Sequence, residues 1–211
     1  MALRVPAGRA GRLWLVRRLE LARRGAEVLD QKRQILLREE QRLSERAAGT
    51  EAEWERRAGE AAEWNARALA IAGSRRLRLA AFHHGAGAEV SVEWRNAVGV
   101  RFPESASVGR DDDFDFICLG GGASVAFDAQ AHARALVAAA EHAASKQALE
   151  ALTAELAATT RRLRAIERRW IPEHQAALKD LELRLAEAEI EETVRARWAL
   201  EHDSPPRTSL G

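Results

Sequence analysis

Alternating steps of four and three from Leu15 pick out Leu15, Leu19, Ala22, Ala26, Leu29, Arg33, Leu36, Glu40, Leu43 and Ala47. Eight of these ten residues are apolar, which is the heptad seam of a helix that packs along its length on another helix. The seam then thins into alanine-rich turns carrying Trp54, Trp64, Leu69 and Ile71. A second seam runs through Leu152, Leu156, Thr159, Leu163, Ile166 and Trp170, and resumes as Leu178, Leu181, Leu185 and Ala188. Between these two runs stands Pro172. A proline inside a helix costs about 3 kcal/mol, because it removes a backbone donor and its ring clashes with the turn before it. From Trp170 to Leu178 the seam advances by four and four rather than by four and three. The phase shift brackets the proline, so a kink at Pro172 is expected where the local winding changes.

Between the seams the heptad stops and glycine becomes frequent. "AEVSVEW" (88–94), "VGVRFP" (98–103), "DFDFICL" (113–119) and "ASVAF" (123–127) read as β-prone pieces, with turns at Pro103, Gly109 and "GGG" (120–122). The predicted fold is mainly α: a long antiparallel two-helix coiled coil with a small β-hairpin at the connecting end. Its parts are an N-terminal helix over 9–80, a β-prone connection over 81–127, a C-terminal helix over 128–202 with Asp128 as N-cap, and a disordered tail over 203–211. Folding such a pair near the middle of the chain puts Trp14 near Trp198 and Trp170 near Leu43.

Composition agrees with long helices. Of 211 residues, 31% are charged and 5% aromatic, and there is no tyrosine. The 33 basic residues are balanced by 32 acidic ones, which argues against a nucleic-acid footprint. Cys118 is the one cysteine, so no internal disulfide forms, which fits a reducing compartment. The apolar run Leu13 to Val16 is followed at once by Arg17 and Arg18, unlike a secretory signal. No run approaches the roughly 20 apolar residues of a membrane span, so no direct membrane insertion is expected.

Candidate chemistry is thin. "DDD" (111–113) lacks the ligand spacing of a calcium loop, and the adjacent His83 and His84 are poorly placed to share a metal. "LGGGAS" (119–124) lacks the lysine that follows a phosphate loop, and no His and Asn arrangement activates Cys118. No catalytic, cofactor-binding or metal-binding set is expected. The connecting segment carries apolar residues that a two-helix seam has no core to bury. Val98, Val100 and Phe102 are therefore candidates for partner docking, with self-packing as the alternative.

Three stretches resemble the D subunits of the V-type and A-type rotary ATPases. "LARRGAEVLDQKRQILL" (21–37) is similar to the family's N-terminal Ala-x-basic-Gly-x-x-Leu-Leu-x-x-Lys-Arg signature. "NAVGVRFP" (96–103) is similar to its Asn-x-x-Gly-x-x-x-Pro element, and "TTRRLRAIERRWIP" (159–172) to its Thr-Thr-Arg-Arg and Ile-Pro run. The chain departs from the pattern at Val28, Asp30, Arg164, Glu173 and His174. The resemblance implies the central stalk of a rotary machine, itself non-catalytic and without cofactor, cytoplasmic and peripheral to the membrane through its complex. The implied partners are the catalytic A and B subunits, the small F subunit of the stalk and the subunit that caps the membrane rotor ring. A helical-pair chaperone of prefoldin type would share the topology and charge, but not the Thr-Thr-Arg-Arg and Ile-Pro run.

Overall fold

A computed structural model describes residues 5–82, 88–109 and 122–202. The described elements are α1 (Gly8–Ala72), α2 (Ser74–Phe82), β1 (Glu89–Ala97), β2 (Val100–Gly109), α3 (Gly122–Ala165), a π-helical turn (Ile166–Trp170) and α4 (Ile171–His202). They fall into two compact units, one of residues 1–31 with 159–211 and one of residues 32–158.

In the unit of residues 32–158, α1 and α3 meet through an ordered series of pairs. Lys32 donates to Glu155 at 2.7 Å, Trp54 stacks on His142, Trp64 stacks on Phe127, and Asn65 donates to Asp128. The partner's number falls as the α1 number rises, so the two stretches run antiparallel. The contact surface changes along the pair. Leu36, Leu43 and Leu152 fill one part, whereas Ala61, Ala68, Ala131 and Ala138 line another.

Two expectations for α3 fail here. It begins at Gly122, so "ASVAF" is helical rather than β-prone, and Asp128 lies inside the helix rather than at its N-cap. Val125, Asp128 and Ala131 are buried at three-residue steps, and burying that face outweighs the β preference of a short run. Asn65 donates to the Asp128 carboxylate at 3.5 Å, and the His132 Nδ1 lies 3.0 Å from the other carboxylate oxygen and 3.0 Å from the Asp128 carbonyl. The N-terminal helix also breaks where a continuous run to 80 is expected. Gly73 takes a left-handed backbone (φ 80°) and donates to the Leu69 carbonyl, ending α1 as glycine commonly does.

β1 and β2 form an antiparallel hairpin in which Ala97 faces Val100 across a two-residue turn. A type I′ turn of this kind needs positive φ at both central residues. Gly99 (φ 83°) adopts this freely; Val98 (φ 52°) adopts it against its branched side chain. An extra residue on β2, Glu104, makes a bulge opposite the Glu93–Trp94 step.

In the unit of residues 1–31 and 159–211, Leu15, Leu19 and Ala26 of α1 are buried, as are Thr159, Leu163 and His174. Arg9 pairs with Glu189 at 3.0 Å and Arg12 with Glu182 at 2.8 Å. The Arg18 guanidinium lies over both Trp14 and Trp170. The expected register therefore fails. Trp170 sits beside Arg18, Leu43 belongs to a core with Ala148 and Leu152, and Arg9 already meets Glu189, nine residues short of Trp198. The expectation pivoted on the middle of the chain; the observed pairings pivot close to the Val98–Gly99 turn.

The π turn accounts for the phase shift. The Ile171 N–H donates to the Ile166 carbonyl, five residues back. The wider turn takes up one extra residue, so the buried position after Trp170 is His174, four residues on. Its ring stacks on Trp170 with centroids 3.5 Å apart, and its Nδ1 lies 2.9 Å from the Trp170 carbonyl. Pro172 is exposed and is the second residue of α4. Its missing N–H and bulky ring thus fall where the regular α-helical ladder has just been interrupted.

Candidate partner interface

The hairpin has two unlike faces because its residues alternate. Phe102, 1% exposed, inserts into a core of Leu36, Leu43, Ala148 and Leu152, with Ala97, Val100 and Leu156 packed around it. Burying a phenylalanine side chain contributes about 2–3 kcal/mol from area alone. A ring of charges borders this core. Arg95 donates to Glu104 at 3.1 Å, and Arg42 donates to Glu39 on α1. The hydrogen bond from Arg42 holds the Glu39 carboxyl below the ordinary carboxylate range, aided by the charge of Arg95. Farther out, Ser105 donates to Glu93 and the Ser91 and Ser107 hydroxyls meet at 2.7 Å.

The other face is partly open: Ala106 and Pro103, opposite Val92 and Trp94 on β2, are buried, but the β1 side chains are not. Val90, Val92 and Trp94 follow one another along β1 at two-residue steps, all more than a third exposed, and Arg101 covers one side of the Trp94 ring at 4.8 Å. Among the described residues β1 pairs only with β2, which leaves its outer edge unpaired. Three exposed apolar side chains beside a strand edge that no described residue pairs with form a surface suited to a partner.

This arrangement corrects the docking residues expected from sequence. Phe102 is buried and Val100 packs against the same core, so neither is offered to a partner. Val98, at the turn, is 38% exposed. Val90, Val92 and Trp94 were missed as a set, although the apolar alternation in "EVSVEW" carries the signal. Only the tertiary structure says which face of the hairpin turns inward.

The expected seam residues are distributed as follows. Leu15, Leu19, Ala26, Leu36, Leu43 and Leu163 are buried, and Ala22, Leu29, Leu156, Ile166, Trp170, Leu181 and Leu185 are half-buried. Ala188 is exposed. Among the described residues no three His, Cys, Asp or Glu side chains cluster as a metal site, and no helix is long and apolar enough to cross a membrane. His83, His84, Cys118, "DDD", "DFDFICL" and the tail from 203 lie outside the described residues.

A family model for the ATP synthase D subunit matches residues 13–201, a span that takes in both strands of the hairpin, the π turn and nearly all of the helices. The chain belongs to the ATP synthase D-subunit family. It is accordingly a stalk subunit of a rotary ATPase, a class of complex that couples ATP chemistry to ion transport. No curated protein matches the chain. Membership leaves the prefoldin-like alternative without support, and it places the chain in a complex with other ATPase subunits.

Proposed function

We propose that this D-family stalk protein is the rotor shaft of its complex, carrying torque between the catalytic A and B subunits and the membrane rotor ring. The observation that carries the reading is the family match over 13–201, nearly the whole chain. On this reading α1 pairs with α3 and α4 as one antiparallel coiled coil without a catalytic site of its own. The surface chemistry suits a turning part. Exposed pairs such as Arg56–Glu53 and Arg195–Glu191 are worth about 0–1 kcal/mol each, so none locks the shaft to one position. Pro172 and the π turn before it set a fixed bend, and an eccentric shaft drives equivalent catalytic sites into different states. The hairpin's outer face docks the small F subunit or the ring cap.

Reconstitution of the A and B subunits with this chain, carrying a bead at the hairpin turn, tests the shaft. ATP-driven rotation of the bead is expected, and hydrolysis with a stationary bead overturns the reading. Val92→Ser/Trp94→Ser tests the docking face, because it leaves the buried Phe102 in place. The variant is expected to melt like the parent while binding the F subunit or the ring cap at least about tenfold more weakly. Unchanged affinity for both moves docking off the hairpin.

A further inference from the structure

The outer side of α1 carries a second apolar row. Trp14, Leu21 and Val28 follow at seven-residue steps, each one residue before a seam position, and in sequence the spacing continues at Ile35. Leu21 and Val28 are 69% and 63% exposed. Seven residues turn an α-helix to within about 20° of two full turns, so the row runs nearly straight along the helix. Single exposed leucines are ordinary on a protein surface. A row that keeps the period of the seam is not accidental scatter.

Leu21, Arg24, Gly25 and Val28 stand at positions i, i+3, i+4 and i+7, the four corners of the hole that accepts a side chain from a facing helix. Gly25 makes this hole deep. A Cβ at Gly25 would meet nothing within 4 Å among the described residues, as at Gly49 and Gly59, but Gly25 is the one of the three that lies between two apolar residues of the row. A glycine in a helix costs roughly 1 kcal/mol relative to alanine, and no described residue packs against the space its Cβ would fill. The residues beside the row are basic. Arg17 and Arg24 flank one side and Arg18 the other. Arg24 lies 3.7 Å from Glu20, and the exposed Arg18 lies over Trp14 and, farther off, Trp170.

We propose that this face of α1 binds an amphipathic helix of a partner protein. The partner helix inserts an apolar side chain into the hole floored by Gly25, repeats its apolar residues every seven positions, and bears acidic residues on its flanks toward Arg17, Arg18 and Arg24. Seven-residue spacing fits a helix rather than a strand, and the basic borders select acidic flanks. The inference stands on the chain alone and does not rest on the shaft reading.

The test uses the full chain and a designed helical peptide of about three heptads, with leucines at seven-residue steps and glutamate flanks. A matched peptide carries lysine flanks instead. Gly25→Leu fills the hole while improving helix propensity, so folding and binding should move in opposite directions. The glutamate peptide is expected to bind the parent chain, to bind Gly25→Leu at least about tenfold more weakly although that variant melts no lower, and to outbind the lysine peptide by a similar factor. Three results each overturn the proposal: no binding of the glutamate peptide, equal binding by parent and Gly25→Leu, or equal binding of the two peptides. Self-association of the parent chain that is lost in Gly25→Leu, seen by sedimentation, also overturns it by making a second copy the occupant.

Discussion

The base of the hairpin and residues 186–201 of α4 are held in opposite ways. At the hairpin base, Leu36, Leu43, Phe102, Ala148 and Leu152 are removed from water together, and the interacting charges of Glu39, Arg42 and Arg95 stand on the same elements. Along α4 every residue from 186 to 201 is exposed, including Ile190 at 65% and Val194 at 62%. There the helix relies mostly on local terms, namely good helix formers, the Glu191–Arg195 pair four residues apart and backbone hydrogen bonds, with the exposed Arg9–Glu189 pair as a link to α1. Helical sequence is therefore equally visible in both regions, while the burial behind it differs. The exposed end retains surface for partners, and the hairpin base does not.

The contrast is sharpest for truncation to alanine. Phe102→Ala should lower stability by about 3–5 kcal/mol, because it leaves a cavity among residues that cannot close over it. Ile190→Ala should change stability by less than about 0.5 kcal/mol, since no burial is lost and alanine favours the helix. Chemical denaturation of both variants checks this. Similar losses for the two would show that the α4 end is packed in solution.

A smaller effect of opposite sign is expected at the hairpin turn. Val98 holds a positive φ that its branched side chain resists. Val98→Asn should raise stability by about 1 kcal/mol, because asparagine tolerates the left-handed region. A lower melting temperature would mean that Val98 contributes packing larger than its backbone strain.

The charged border should contribute least. The Glu39 carboxyl is held below its ordinary value of 4.5, chiefly by the hydrogen bond from Arg42. A depressed folded pKa means that the pair stabilises the fold above the ordinary carboxylate pKa and loses that contribution as pH falls through the lower folded value. The pair is partly solvated, so the effect is a few tenths of a kcal/mol to about 1 kcal/mol. Glu39→Gln should melt slightly below the parent at neutral pH, and the gap should close once the pH has fallen below the depressed folded pKa. A gap that persists in acid assigns the loss to packing.

The helical character of the long segments, the change of step around Pro172 and the family signatures were legible in the sequence. All are local or strictly periodic: a seven-residue repeat shows itself wherever the chain packs along its length, and a skipped residue shows as a change of step. What the tertiary structure decided was which distant residues meet. Only folding showed that the phase shift is taken up as a π turn with His174 turned inward, that Phe102 rather than Val92 faces the helices, and that Arg9 stands opposite Glu189. Two heptad seams can slide past one another by whole repeats at little change in apolar pattern, so the pattern alone cannot set their register. A hairpin with apolar residues on both faces likewise does not say which face turns inward. Those choices are made by volume: Phe102 fits among Leu36, Leu43 and Leu152, and burying it there brings Arg95 and Glu104 to the Glu39–Arg42 pair.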